Sequence, residues 1–231
     1  MRRVMLKLSG EALAGDEKFG FDFKIVDGIC KQIKKVKSKN TQIAIVTGGG
    51  NFIRGKSLSN IDKYKADEIG MLSTFMNSLY LQGILRMNGI QSTIFGAFPM
   101  SDIAVIFSKD KAIEAMNNGQ IVILAGGTGH PYFTTDTGVA LRSIELECTE
   151  LLLAKSIDGV YDKDPVKYKD AKKFKKVSLQ EMIDNKLEVI DLSASVLCLY
   201  NKLNLRLFSL NEKDSILKAI KGDNIGTLIY S

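Results

Sequence analysis

Apolar positions along this chain keep two rhythms that alternate from one end to the other. Short runs rich in β-branched residues, VMLKL (4–8), QIAIVT (42–47), STIFG (92–96), QIVILAG (120–126), ELLLA (150–154), LRLFSL (205–210) and GTLIYS (226–231), read as strands. Between them Phe21, Ile25, Ile29, Ile33 and Val36 recur at helical spacing, as do Met71, Phe75 and Leu79, then Ile113 to Met116, then Ile216, Leu217 and Ile220. Ser178 with Glu181 forms a capping box ahead of the short helix LQEMIDN. Such β/α alternation predicts an α/β protein with an open, mainly parallel sheet sandwiched by helices. Pro99, Pro131 and Pro165 fall in loops, and no repeat or Pro/Ser linker interrupts the chain. One continuous domain over 1–231 is expected, with an N-terminal half to about residue 140 and a C-terminal half beyond. Sheets of this kind hold ligands at the carboxyl ends of their strands, so the strand-to-helix turns carry the chemistry.

Composition is that of an ordinary globular chain: 231 residues, 45% hydrophobic and 25% charged. The net charge of +6 raises the question of an anionic partner. Lysine supplies nearly all of it, however, and nucleic-acid readers lean on arginine for bidentate contacts. The Lys-dense stretches 31–39 and 167–176 lack the interleaved aromatics of single-strand binders and read as solvated surface. Cys30, Cys148 and Cys198 are odd in number and form no C-x-x-C pair, the pattern of buried thiols in a reducing compartment. The basic N-terminus is followed by Lys7 and then Ser9, Gly10 and Glu11, which break any signal-peptide core. A cytoplasmic protein with no nucleic-acid or membrane partner is expected.

Four turns stand out. A lysine in the apolar first strand, Lys7, either points to solvent at a sheet edge or meets an anion at the tight turn Ser9-Gly10 that follows. Next, GNFIRGKS (50–57) satisfies the Walker pattern through Gly50, Gly55, Lys56 and Ser57. A Walker loop must open a helix at its Lys-Ser, yet LSNIDKYKADE shows no apolar stripe before Ile69, and no partner strand ends in Asp. Both features weigh against a P-loop, and the competing reading is a plain glycine turn, Gly48 to Gly50, with Arg54 nearby. The third turn places Gly126, Gly127, Thr128 and Gly129 after a strand, then Thr134, Thr135, Asp136 and Thr137 at a helix start. Capping explains one of these; the rest suit phosphate oxygens, and Asp136 suits Mg²⁺. His130, the sole histidine, either shapes this loop or, where a hydroxyl must lose a proton, acts as a base. The fourth, SIDGVYDKDPVKY (156–168), either clasps a flat ring or is plain surface loop. Asp191, ahead of a helix of small residues, is a capping residue or a site acid.

The strings KLSGEAL, VTGGGNFIRG, ADEIGML, GGTGHPYFTTDT, DGVYDKDP and IDLSAS, in this order, resemble the bacterial uridylate kinase branch of the amino-acid kinase family over essentially the whole chain. The resemblance implies transfer of a phosphoryl group from ATP to UMP, with Mg²⁺, an N-terminal half that holds UMP and oligomer contacts, and a C-terminal half that holds ATP. It implies that Lys7, Leu8, Ser9 and Gly10 hold ATP phosphates, and that Lys7, Asp136 and Asp191 form the catalytic set. Gly50, Arg54, Lys155, Tyr161 and Asp164 match further ATP positions, Lys155, Tyr161 and Asp164 on the adenosine. Gly49, Asp67 and the loop Thr128, Gly129, His130, Pro131, Tyr132, Phe133, Thr134 and Thr135 match UMP positions, Asp67 on the ribose. The family's usual Lys-Ala-Thr-Lys is here Leu153-Ala154-Lys155-Ser156, and His130 stands for a common Asn. A homohexamer with GTP and UTP as effectors is also implied. Gly15, Asp16, Glu17, Lys18, Phe19 and Gly20 resemble the segment linked to GTP, although Lys18 replaces a usual glycine and Gln82 is uncharged where the effector surface is basic. Competing readings are a carboxylate kinase of the same fold, which needs no ribose-binding acid, and a nucleotide-binding protein without activity.

Overall fold

The computed structural model describes residues 1–37, 40–53, 58, 60–187 and 189–231. Arg54 and the Gly55-Lys56-Ser57 end of the Walker-like match lie outside the described residues. Strands β1 (Arg2–Leu8), β2 (Thr41–Thr47), β3 (Ser92–Gly96), β4 (Val105–Ile106), β5 (Ile121–Ala125), β6 (Glu150–Lys155), β7 (Lys176–Ser178), β8 (Leu205–Ser209) and β9 (Thr227–Tyr230) form one sheet in the order β4-β3-β5-β2-β1-β6-β8-β9-β7. All neighbours run parallel except β8 and β9. The open, mainly parallel sheet is thus as the pattern predicts, with an antiparallel return at one edge.

Helices α1 (Gly10–Ala14), α2 (Phe23–Val36), α3 (Lys63–Met87), α4 (Lys109–Asn117), α5 (Thr135–Glu145), α6 (Leu179–Asp184), α7 (Leu192–Tyr200) and α8 (Ser215–Lys221) cover both faces. Strand alternation divides the side chains between two cores. Val4, Leu6 and Leu8 of β1 join α2, α3 and α8 on one face; Met5 joins α4, α5 and α7 on the other. Lys7, two residues beyond Met5, leaves the sheet on the α5 side. It pairs in register with Val46 of β2 and Leu153 of β6, so it sits mid-sheet and not at an edge.

Asp22 caps α2 through its side chain, and Val26, Ile29, Cys30, Ile33 and Val36 bury the expected stripe. Helix α3 departs from the pattern. Of Met71, Phe75 and Leu79, Phe75 is buried but Leu79 is 41% exposed. The face turned to the sheet carries Thr74, Asn77 and Ser78 beside Phe75 and Leu81. Two of these polar groups bond strand-end turns: Thr74 Oγ1 accepts from Gly126 N at 2.8 Å, and Asn77 Nδ2 donates to the Gly48 carbonyl, while Ser78 Oγ donates within the helix to the Thr74 carbonyl at 2.7 Å. A helix that serves a polar site cannot keep a purely apolar stripe.

Candidate active site

Four neighbouring strands, β5-β2-β1-β6, end in turns that lie side by side at the carboxyl edge of the sheet. After β1, Ser9 caps α1 and Gly10 follows at once. A Cβ on Gly10 would lie 2.6 Å from the Gly50 amide nitrogen and 2.6 Å from Asn51 Oδ1, so only glycine lets the β1 and β2 turns touch. Asn51 and Asn77, both buried, exchange side-chain hydrogen bonds at 2.7 and 2.8 Å, and Asn51 Nδ2 also reaches the Gly20 carbonyl at 2.8 Å. This pair fastens the glycine turn to α3 and to the 15–20 segment. After β5, Gly126, Gly127 and Gly129 take positive φ of 84°, 60° and 85°, which folds the loop back before α5.

The first turn of α5 is the centre of the site. Thr134 caps the helix, its hydroxyl accepting from Asp136 N at 3.0 Å and Thr137 N at 3.3 Å. The same hydroxyl donates to Asp191, as does Thr137 Oγ1 at 3.0 Å. Asp191 in turn caps α7, accepting from Ala194 N at 2.9 Å. It is therefore both a cap and the tie between two helix starts. Burial works against its ionised form, but hydrogen bonds from Thr134, Ala194 and Thr137 outweigh this and hold its carboxyl below the usual range. Asp136 forms an ion pair with Lys7, which is 8% exposed. At the end of β6, the Lys155 ammonium donates to the Val189 carbonyl. Burial lowers its pKa; Asp136 and Asp191 oppose that shift and Lys7 adds to it.

Two cavities meet at this helix start. One, of about 300 Å³, is walled by the Gly49-Gly50 turn, α3 from Lys63 to Thr74, and the loop from Gly127 to Thr135. Inside it Asp67 Oδ2 accepts from Tyr132 N at 2.7 Å, which holds Tyr132 at φ 69°. The other, of about 670 Å³, lies under Asp136, Lys155 and Asp191 and is floored by Met182, Leu187 and Ile190. Thr134 and Thr135 face the first and Asp136 the second, so one helix turn divides them. Both volumes fall within the roughly 300–1,000 Å³ of small-molecule sites.

The model of the amino acid kinase family matches residues 2–206. The chain belongs to the amino acid kinase family. A uridylate kinase of Bacteroides thetaiotaomicron is 42% identical over the full length of this amino acid kinase and 98% of its own. A UMP kinase structure from Bacillus anthracis superposes with a TM-score of 0.95 at 33% identity, covering 99% of this chain and 96% of that one. One from Ureaplasma parvum gives 0.94 at 29%, covering 100% and 99%.

Within this amino acid kinase, the structure gathers Gly49, Gly50, Asp67, Thr128, His130, Tyr132, Phe133, Thr134 and Thr135 around the smaller cavity. Gly129 and Pro131 belong to the same loop without lining it. Gly50, expected on the ATP side, lines that smaller cavity. Lys7, Asp136 and Asp191 come together at the divide, with the Ser9-Gly10 turn beside them. Leu8 points into the α2–α3 core and has only its backbone at the turn. Tyr161 donates to Asp158 at 2.9 Å and Asp164 accepts from Val166 N at 2.9 Å; neither lines the two cavities. Gly15 and Asp16 line a third cavity of about 420 Å³ that also reaches Ser9 and Lys155. Phe19 packs edge-on against Phe52 at 5.5 Å. Sequence reasoning missed Lys63, Met71 and Thr74 in the smaller cavity and Met182, Leu187 and Ile190 in the larger one. The last three read as ordinary helix or loop apolar residues, so no local signal marks them.

Proposed function

We propose that the protein transfers the γ-phosphoryl group of ATP to UMP, giving ADP and UDP. The observation that carries this reading is the first turn of α5: it divides two nucleotide-sized cavities and places a buried ammonium, Lys7, against Asp136 at the boundary. The smaller cavity takes UMP, with Asp67 toward the ribose and the amides and hydroxyls of the Thr134–Thr135 turn toward the phosphate. The larger cavity and the Ser9-Gly10 turn take ATP. This gives the N-terminal half mainly the acceptor and the C-terminal half mainly the donor.

The UMP phosphate is anionic at neutral pH, so its oxygen attacks the γ-phosphorus without a general base. A bond forms to that oxygen, the bond to the β,γ-bridging oxygen breaks, and ADP leaves with the electron pair. What the protein supplies is alignment and charge neutralisation. Lys7 stands where charge gathers on the group in flight. Asp136 and Asp191 orient Lys7 and the two helix starts. His130 has no proton to move and is left to shape the loop. Among the described residues no three His, Cys, Asp or Glu side chains cluster as metal ligands. Asp136 and Asp191 instead fit a Mg²⁺ held chiefly by phosphate oxygens, as is usual for this ion. Held there with ATP, Mg²⁺ would supply further charge neutralisation for the phosphate groups.

Asp67 and the threonine turn favour a nucleotide acceptor over a carboxylate, and the retained Lys7–Asp136 pair favours an enzyme over a binding protein. Assembly into a homohexamer with GTP and UTP as effectors belongs to the same proposal; the apolar stripe Leu72, Met76 and Leu79, exposed on α3, supports self-association. Buried free thiols at Cys30, Cys148 and Cys198 suit a cytoplasmic setting. ADP release measured with UMP, CMP, dTMP, acetylglutamate and aspartate tests the reading. UMP should be the preferred acceptor, and equal rates with CMP or a carboxylate would remove it.

A further inference from the structure

We propose that Lys155 is a second phosphate-binding ammonium of the donor site, acting beside Lys7, and not a contact for the adenosine. This rests on the kinase reading above and deepens it. Leu151, Leu153 and Lys155 leave β6 on one face, the first two in the core beneath α5 and α7, while Leu152 and Ala154 leave on the other. Lys7 lies opposite Leu153 in the neighbouring strand and points to the same side. The two lysines therefore lie near the carboxyl ends of adjacent central strands on one face. Lys155 lines the donor cavity with Asp136 and Asp191, and also the cavity beside it that holds Ser9. It thus stands between the tight turn after β1 and the helix starts of α5 and α7.

Charge makes the same case. Lys7 is already committed to Asp136, and Asp191 adds a second carboxylate. Without Lys155, two carboxylates would face an incoming polyphosphate against one ammonium; with it the cluster is balanced before Mg²⁺ arrives. An ammonium has three donors, and the Val189 carbonyl takes one. An ammonium can donate to adenine ring nitrogens or ribose oxygens, but its charge-assisted bonds to anionic phosphate oxygens are the stronger ones. Leu153, two residues earlier on the same strand face, is sealed in the core, so Lys155 is the residue of that face that reaches the cavities.

Calorimetric titration of the full chain with adenosine and with ATP, no acceptor present, decides between the two roles. Lys155→Met should leave adenosine affinity within about twofold and weaken ATP by about 10- to 100-fold, the scale of a hydrogen bond to a charged group. Turnover with UMP should fall by about 10²-fold while KM for UMP holds. Lys155→Gln, which keeps a donor for Val189 without the charge, should behave as Lys155→Met does, and it carries the comparison if Lys155→Met does not fold. Equal loss of adenosine and ATP would return Lys155 to the adenosine. A lower melting temperature with both affinities intact would make it a structural tether to Val189. Either result overturns the proposal. The titration needs no acceptor, so failure of the unaltered protein to phosphorylate UMP would sink the acceptor assignment separately.

Discussion

Lys7, next to last in an apolar strand, has 8% of its surface exposed, a placement that is costly unless a counter-charge meets it. Asp136 meets it in the resting protein, and a phosphoryl group in flight would draw on the same ammonium more strongly than bound substrate does. Lys7→Ala should therefore lower kcat by about 10²–10³-fold while KM for UMP and the circular dichroism spectrum hold. Lys7→Arg should rescue poorly, because a planar fork does not replace a compact ammonium in this space. Full turnover in a folded Lys7→Ala would remove the centre of the mechanism. Asp67 now accepts the Tyr132 amide, so Asp67→Asn keeps an acceptor for the loop and loses the charge. It should raise KM for UMP well above any change in KM for ATP; equal changes in steady-state kinetics would make Asp67 structural. Asp191 contributes through its depressed pKa. A carboxyl held low in the folded state adds stability that is complete above the unfolded value, about 3.9, and is lost as pH falls through the folded value. The melting-temperature gap between the wild type and Asp191→Asn should accordingly be constant near neutrality and close below about pH 4. A gap unchanged at acid pH would mean that Asp191 acts as a neutral cap alone.

At the scale of elements, the site is built by turns that touch. Gly10 approaches the Gly50 amide nitrogen and Asn51 so closely that a Cβ would fall 2.6 Å from each. Gly10→Ala must push the β1 turn off the β2 turn, since a backbone amide cannot step aside. Thermal unfolding should show a loss of about 1–3 kcal/mol, the usual cost of overpacking, and the KM for ATP should rise with it because Ser9 moves too. An unaltered KM would mean that the two turns move independently. The elements themselves were legible where burial is symmetric. VMLKL, QIAIVT and QIVILA are sealed by helices on both sides, so their composition alone marks them. β4 and β7 were not legible, because two or three residues bonded at a sheet margin carry no period of their own. Nor was the direction of β9, which depends on a chain reversal that GTLIYS does not encode. In the site, loops with glycine and threonine clusters announced themselves, whereas Asn51 and Asn77 did not. A buried amide pair looks like any polar residue on a helix or loop until its partner is known. Lys155 is visible in the sequence, but the side of the sheet it faces depends on strand phase, which its place in a matching string does not give.

For the whole molecule, charge and shape point to different kinds of contact. The net charge of +6 is spread over lysine-bearing helices and loops and adds a general attraction for anionic nucleotides, without shaping any one site. Among the described residues no helix is long and apolar enough to cross a membrane. Among the exposed apolar residues, three form a stripe on α3, a helix of 25 residues. Leu72, Met76 and Leu79 are 44%, 47% and 41% exposed, at positions i, i+4 and i+7. That spacing puts them on one face, opposite the side that bonds the Gly48 and Gly126 turns. Under the proposed assembly this stripe, on a helix that also walls the smaller cavity, would be the contact surface for a second copy of the chain and would link assembly to the site through one helix. Met76 lies at its middle, so Met76→Lys should place a charge in the centre of the contact and reduce the mass measured by light scattering on a sizing column. Because Met76 lines neither cavity, the separated protomers should keep ATP affinity. An unaltered mass, or a wild type that already runs as one chain at micromolar concentration, would show that α3 is not the contact and that its apolar stripe is simply surface.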